Sequence, residues 1–241
     1  MRILNWNGYF NARDLGGLPT PLSTTGSTIF KRVARGPRRE LLTSAGWADA
    51  RHWGLSTVVD MRCVHEVGGR DGDPVIDEGS LSELTIVNAP TEDQDNPEFR
   101  EVCFPILDSP AYWRHNWRIL PHLVRATLKA IANAQAGVLI HCSAGRDRTG
   151  MISALLLGNA GVSPDDVAED YAQSVRAMAS AKSHAKTHDR QASWSVTQVE
   201  QWIAETTPIV KETASNAHVA FDAIGLPQEQ RSRLRALLTE V

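Results

Sequence analysis

Two residues with complementary chemistry, Cys142 and Arg148, stand six positions apart in the stretch 141–150. The apolar residues 137–140 predict a short strand before this stretch, and residues 151–157 favour a helix after it. A loop from a strand to a helix directs backbone N–H groups and the helix N-terminus at one place, which makes an anion site. The same field favours thiolate at Cys142, and the guanidinium of Arg148 can bind two phosphate oxygens. The chemistry that fits is nucleophilic attack of sulfur on a phosphoryl group.

The loop reads His-Cys-Ser-Ala-Gly-Arg-Asp-Arg-Thr-Gly, and it resembles the phosphate loop of the cysteine-dependent protein tyrosine phosphatase superfamily. The Asn-Ala-Arg-Asp-Leu-Gly-Gly run at 11–17 and the Val-Asp-Met-Arg run at 59–62, with Glu66, narrow the resemblance to bacterial tyrosine and phosphoinositide phosphatases. The likeness covers roughly residues 5–175 and returns weakly in the last helix. Position 146 is Arg, where that family usually has Lys.

The resemblance implies hydrolysis of a phosphate monoester in two in-line displacements. Cys142 attacks phosphorus and becomes a phosphocysteine, which water then attacks. Backbone amides of residues 143–148 and the Arg148 side chain hold the phosphate oxygens as charge redistributes. Thr149 hydrogen-bonds the sulfur, which makes sulfur a better leaving group in the second step. No metal or other cofactor is implied.

A substrate-binding set follows from the loop and from a neighbouring strand: Ser143, Ala144, Gly145, Arg146, Asp60 and Arg62. Asp60 and Arg62 stand at the carboxyl end of a predicted buried strand, where ligands gather in open α/β sheets. An equally favoured alternative makes these two residues a brace under the loop. Arg146, together with Arg148 and the segment 180–193, could hold a second phosphate or a carboxylate.

Protonation of the leaving group requires an acid, because an alkoxide or phenoxide leaves poorly. Two carboxylates compete for this role: Asp147 inside the loop and Asp108, which lies 34 positions before Cys142. We favour Asp147 because the resembling phosphatases with Asp at this position are thought to use it.

Other residues near these motifs are predicted to have structural roles. His141 fixes the loop from behind and sustains the thiolate, Arg13 and Asp14 form an internal ion pair, and Glu66 is structural. The cysteines 63 and 103 are expected to be bystanders. A solvated turn is the favoured interpretation of four clustered arginines: Arg32, Arg35, Arg38 and Arg39.

The surrounding elements predict an α/β fold. Short strands are expected at 29–33, 57–60, 83–87 and 137–140, with a helix from Thr43 or Ser44 to Gly54. A second group of helices is expected around Pro121 and over 163–180. These elements, with the resemblance, predict a central, mostly parallel sheet of four or five strands with helices on both faces.

The C-terminal third is expected to be helical. Segment 180–193 is polar and basic, so it cannot anchor a core, and His184 and His188 have no third metal ligand nearby. Three helices are predicted at 196–206, 209–224 and 228–240. We expect one phosphatase domain over residues 1–241, with 180–226 as a helical insertion or lid.

Composition sets broad limits. A chain of 241 residues with 42% hydrophobic and 22% charged residues is typical of a globular protein. Its net charge of −3 argues against a nucleic-acid binder. Three dispersed cysteines suit a reducing compartment, and no segment has the pattern of a signal peptide or membrane span. We expect a cytoplasmic protein whose partner is a phosphorylated protein, lipid or small molecule, without stable membrane insertion.

Three functions remain open from the sequence. The first is a phosphatase that acts on phosphotyrosine or a phosphoinositide. The second applies the same mechanism to a small metabolite such as a sugar or nucleoside phosphate. The third is a non-catalytic phosphate-binding module, which the complete set of Cys142, Arg148 and Thr149 disfavours.

Overall fold

The computed structural model describes residues 1–76, 78–180 and 190–240. Its strands are, in chain order, β1 (Arg13–Asp14), β2 (Val33–Gly36), β3 (Thr57–Asp60), β4 (Thr85–Asn88) and β5 (Val138–His141). They form one sheet in the order β1-β2-β5-β3-β4. Only the β1–β2 pair is antiparallel within the described part of the sheet. The predicted α/β fold with a mostly parallel sheet is confirmed.

The α-helices surround this sheet. They are α1 (Ser44–Trp53), α2 (Pro97–Cys103), α3 (Trp113–Ile119), α4 (Pro121–Asn133), α5 (Asp147–Asn159), α6 (Pro164–Ser180), α7 (Val196–Ser215), α8 (Ala217–Ala223) and α9 (Gln228–Thr239). Across residues 1–76, 78–180 and 190–240, none of the helices combines the length and apolarity needed to cross a membrane.

Both faces of the sheet are covered, because successive side chains on a strand point to opposite sides. Val59 and Ile140 face the larger core, which α4, α5 and α6 help to fill. Val58 and Leu139 face a smaller core that is closed by the two tryptophans of α1. The strand β5 therefore runs through the middle of the molecule, and the residues that follow it emerge at the centre of the sheet edge.

Several helix positions that were predicted from capping residues and prolines in the sequence are correct. The Thr43 hydroxyl accepts from Gly46 N at 3.1 Å and caps α1, and Gly54 ends this helix with φ 112°. Pro121 begins α4 directly after α3. The first strand of the parallel set lies at 33–36 rather than 29–33, and the strand predicted at 83–87 lies at 85–88.

The predicted break between helices at 206–209 is wrong. Helix α7 continues through Pro208, although proline lacks the N–H that would bond one turn back. Pro208 lies on the exposed side, while Val199, Ile203 and Val210 are buried in the larger core on either side of it. Burial of this continuous apolar stripe stabilises the helix more than the lost hydrogen bond destabilises it. Helix α7 therefore ends only at Asn216.

The segment 180–193, predicted not to anchor a core, is nonetheless fastened to the rest of the protein in the part that the structure describes. Gln191 is fully buried. Its side chain accepts from Arg146 Nη1 at 2.6 Å and donates to the Asp108 carbonyl at 3.1 Å. A polar side chain, rather than an apolar one, therefore fastens this segment. His184 and His188 lie outside the described residues.

A buried charge cluster joins the start of the chain to α6. The Asp170 carboxylate forms ion pairs with Arg2, Arg13 and Arg35. The predicted Arg13–Asp14 ion pair is therefore wrong: Asp14 accepts instead from Trp53 Nε1 at 2.8 Å and from two backbone amides. Burial by itself raises the pKa of Asp170, but the three guanidiniums hold that pKa far below its ordinary value.

We expect Asp170→Asn to lower the free energy of unfolding by about 3–5 kcal/mol, because it leaves buried guanidiniums without their counter-charge. Urea unfolding measures this loss. The matched control is Asp165→Asn on the same helix, whose carboxylate is 79% exposed and pairs with Lys211. The control should cost no more than about 1 kcal/mol.

The same cluster predicts a pH dependence. The folded-state pKa of Asp170 lies below the unfolded value of about 3.9, so its contribution is complete above that value and is lost as pH falls below it. The difference in stability between wild type and Asp170→Asn should therefore shrink below about pH 4. A difference that stays constant down to pH 2 would contradict this account of the cluster.

Candidate active site

The loop 142–146 connects the end of β5 to the start of α5, and its carbonyl groups are held from outside. Arg38 N donates to Ser143 O at 3.0 Å, and Asn11 Nδ2 donates to Ala144 O at 3.2 Å. Gly145 O accepts from Arg35 Nη2 at 2.8 Å. The C=O and N–H of one planar trans peptide unit point in opposite directions. The amides of residues 144–146 therefore point to the inside of the loop, where they can bind an anion.

Gly145 allows the loop to approach the neighbouring strand. Its φ is +72°, and a Cβ at this position would lie 2.6 Å from the carbonyl group of Gly36 and 2.7 Å from Pro37 N. A larger residue would be strained in this backbone conformation and would also push the loop away from β2. The glycine is thus required for the loop's position.

Arg148, in the first turn of α5, is held between two carboxylates. Glu66 accepts from both Nη1 and Nη2 of Arg148, the second at 2.8 Å, and Glu92 Oε2 lies 3.5 Å from Nη1. Although burial opposes ionisation, the hydrogen bonds from Arg148 lower the pKa of Glu66. Glu66, predicted only as structural, therefore fixes the orientation of the guanidinium.

Asp60 and Arg62 are fully buried under the loop. Arg62 Nε and Nη2 donate to the two oxygens of Asp60 at 2.9 and 2.6 Å, and Nη2 also donates to Glu40 at 2.8 Å. Neither side chain is exposed to a bound substrate in this geometry. The contacts favour the brace over the substrate-binding role that the sequence also allowed.

His141 lies between this brace and the loop. Its Nδ1 is 3.1 Å from Cys142 O, and its Nε2 is 3.7 Å from Asp60 Oδ2. Burial lowers the pKa of His141 to about 4, in spite of the raising effect of Asp60. The imidazole is therefore neutral near pH 7, so it can position the loop but adds no positive charge that would stabilise a thiolate.

Positive charge beneath Cys142 comes instead from Arg35. This side chain is 1% exposed and binds Asp170, Ser174 and the Gly145 carbonyl. Burial lowers the pKa of Arg35 to about 10, while the charges of Asp170 and Cys142 raise it. Arg35 thus stays charged at neutral pH. The interpretation of Arg35 and Arg38 as part of a solvated turn is wrong, since both are buried.

The two carboxylates proposed as acids influence the same buried group. Both Asp147 and Asp108 act electrostatically on the buried hydroxyl of Tyr171. Asp147 accepts from Arg146 Nε at 2.8 Å and from Nη2 at 3.1 Å. Arg146 is 3% exposed and also binds Gln191, which in turn holds the Asp108 backbone. The second-anion role predicted for Arg146 does not fit a side chain this enclosed.

Thr149 is fully buried, and its hydroxyl has no hydrogen-bond partner among residues 1–76, 78–180 and 190–240. A buried hydroxyl without a partner is costly, so such a group often has a functional reason. The other two cysteines are protonated thiols near pH 7, because burial raises the pKa of Cys63 and Cys103 to about 11.

Four residues of the site escaped sequence reasoning: Asn11, Arg35, Glu92 and Asp170. Asn11, Arg35 and Glu92 contact the loop or Arg148 from elements distant in the chain, and Asp170 acts through Arg35. Arg35 and Asn11 gave a usable signal, since they lie within or beside the motifs already singled out. Glu92 and Asp170 gave none, because each is one acidic residue among several in its segment.

Taken together, the mostly parallel sheet, the loop after its central strand that contains Cys142, and the Arg148 guanidinium held by Glu66 fit a cysteine-dependent phosphatase. The chain belongs to the tyrosine phosphatase family, whose family model matches residues 4–240.

Three individual proteins are similar to parts of this chain. The triple specificity protein phosphatase PtpB of Mycobacterium tuberculosis is 29% identical over 198 residues, which cover 72% of this chain and 70% of that protein. A Cupriavidus necator protein, provisionally named a tyrosine-protein phosphatase, is 29% identical over 68% of this chain and 60% of its own length. The crystal structure of TpbA from P. aeruginosa has a TM-score of 0.32 and 14% identity, covering 77% of this chain and 88% of that one.

We expect Glu66→Gln to lower kcat by about tenfold to hundredfold, because a misplaced guanidinium no longer matches the transition state. Steady-state kinetics with p-nitrophenyl phosphate would measure the effect. Glu98→Gln is the matched control, since Glu98 pairs with Arg118 at the surface at 2.8 Å. Equal kinetics for both variants would show that the Glu66–Arg148 pair is not needed for catalysis.

Proposed function

We propose that this protein hydrolyses phosphate monoesters through a phosphocysteine on Cys142. The observation that carries this proposal is the set of loop carbonyls held from outside by Arg38, Asn11 and Arg35. The amides of the same peptide units point to the inside of the loop, where they can bind phosphate oxygens. Donors that are fixed before the substrate arrives stabilise developing charge without reorganising.

In the first step, the Cys142 thiolate attacks phosphorus and the ester oxygen leaves with a proton. Arg148 and the amides of 144–146 hold the three remaining oxygens. In the second step, water attacks phosphorus, the S–P bond breaks, and inorganic phosphate and the thiolate are released. The unpartnered Thr149 hydroxyl supports a role as donor to the departing sulfur.

The substrates we propose are phosphotyrosine or phosphoinositides, in the cytoplasm. The family assignment supports them, as does the name of the M. tuberculosis relative, which is called a triple specificity protein phosphatase. A small metabolite phosphate hydrolysed by the same mechanism is the alternative. We propose a single phosphatase domain over 1–241, in which 180–226 is a helical insertion.

Asp147 is the proposed general acid. It is the first residue of α5, directly after the loop, and Arg146 orients its carboxylate. Its side chain is 20% exposed, so a leaving group that departs towards solvent can reach it.

Glu92 is a second candidate acid on one specific observation. Burial raises the pKa of Glu92, and Glu66 adds to this effect although Arg148 opposes it. Glu92 therefore retains a proton to higher pH than an ordinary glutamate, at 3.5 Å from Arg148.

We expect Cys142→Ser to abolish turnover while vanadate or phosphate still binds. A serine hydroxyl in the loop remains protonated and is a poor nucleophile, whereas the amide cradle is unchanged. Single-turnover assays and calorimetric titration with vanadate would test both parts. Retention of more than a few per cent of activity would identify a different nucleophile. The matched control is Cys103→Ser, which changes a thiol placed away from the loop on α2.

The acid is identified by varying the leaving group. We expect Asp147→Asn to slow substrates with poor leaving groups far more than p-nitrophenyl phosphate, because only the former need a proton in the transition state. Asp108→Asn and Glu92→Gln should each cause a loss that does not depend on the leaving-group pKa. A steep dependence in either of these two variants, but not in Asp147→Asn, would transfer the role to that residue.

A further inference from the structure

An exposed arginine, Arg70, lies at the rim of the phosphate loop and takes no part in the steps above. Its Nη2 donates to Ser143 Oγ at 3.4 Å, a long contact. It forms no ion pair within residues 1–76, 78–180 and 190–240. The sequence alone showed here only a loop rich in glycine and aspartate.

The turn that carries Arg70 is built and fastened. Gly68 and Gly72 have φ of +127° and +88°, in the region that favours glycine. Asp73 closes the turn, since its carboxylate accepts from Arg70 N at 2.6 Å and its amide donates to Arg70 O at 3.0 Å. These contacts fix the backbone from which the Arg70 side chain extends.

Arg38 ties this turn to the phosphate loop. Both of its terminal nitrogens donate to the carboxylate of Asp73, each at 2.5 Å, while its backbone amide holds Ser143 O at 3.0 Å. The turn and the loop therefore share one buried arginine. The backbone of the turn that carries Arg70 is therefore tied to the loop.

The other arginines around the loop have carboxylate partners, whereas Arg70 forms no ion pair among the described residues. Arg148 is matched by Glu66 and Glu92, Arg146 by Asp147, and Arg38 by Asp73. Asp73 pairs with Arg38 through both terminal nitrogens, and its charge also acts on Arg70, so one carboxylate faces two guanidiniums. An exposed guanidinium that touches the loop is suited to a second anion next to the first.

We propose that Arg70 binds a second phosphate of the substrate, and that the substrate class carries two phosphates close together on one ring, as in phosphorylated inositols. This inference rests on the proposed function. A phosphotyrosyl peptide holds its phosphate at the far end of an aromatic ring, so its other charges stay a side chain's length from the loop. Adjacent phosphates on one ring can instead occupy the loop and the Arg70 rim together.

The experiment compares kcat/KM for a soluble inositol bisphosphate with adjacent phosphates and for an inositol monophosphate. In the wild type we expect the bisphosphate to be preferred. In Arg70→Gln this preference should fall about tenfold, since one charge-assisted contact is lost, and Arg70→Lys should recover part of it. A general disturbance of the loop would lower both values and leave their ratio unchanged.

The matched control is Arg235→Gln, an exposed arginine that donates to Asn159 O at the other end of α5, ~18 Å along the helix from the loop. Its ratio should equal that of the wild type. An unchanged ratio in Arg70→Gln, or no preference in the wild type, overturns the proposal. A selective loss on phosphopeptides with acidic neighbours also overturns it. If the wild type hydrolyses no phosphate monoester, p-nitrophenyl phosphate included, the proposed function itself fails.

Discussion

The rest of the site depends on the ion pairs that the carboxylate of Asp170 forms. Asp170 lies in the middle of α6 and binds arginines from the start of the chain, from β1 and from β2. Through Arg35 the same cluster reaches the Gly145 carbonyl. One buried charge therefore fixes the helix, the edge of the sheet and the back of the phosphate loop at once. Such a cluster contributes little net stability, but losing the Asp170 carboxylate would be costly.

The charges near Cys142 are divided between two sides. On the α5 side, Glu66 compensates the charge of Arg148 and Glu92 lies 3.5 Å from it, so this arginine supplies geometry more than excess charge. On the opposite side, three guanidiniums share the carboxylate of Asp170, which leaves positive charge beneath the loop. This excess, together with the amide cradle, favours a bound anion such as phosphate. His141 is neutral near pH 7, so it helps to position the loop but contributes no positive charge.

The loop is prepared for its ligand before any ligand binds. Its carbonyls accept from three residues in two separate segments, and Gly145 permits the close approach to β2 that this requires. Thr149 is the exception, since its buried hydroxyl has no partner among the described residues. Amide donors that are already in place, together with a buried hydroxyl that has no partner, are consistent with a sulfur atom whose charge changes during the reaction.

The sequence by itself determined the α/β class, the loop between β5 and α5, and the start of α1 and α4, and it singled out Cys142 and Arg148 as candidate site residues. These features are local: a strand, a loop and a helix follow one another in the chain, and caps and prolines act over a few residues. The tertiary structure decided which residues form ion pairs and how far a helix extends. Arg13 pairs with Asp170 rather than its neighbour Asp14, and α7 runs through Pro208 because its buried stripe continues. Partners of a buried charge are chosen by which elements pack together, and chain distance does not encode that choice.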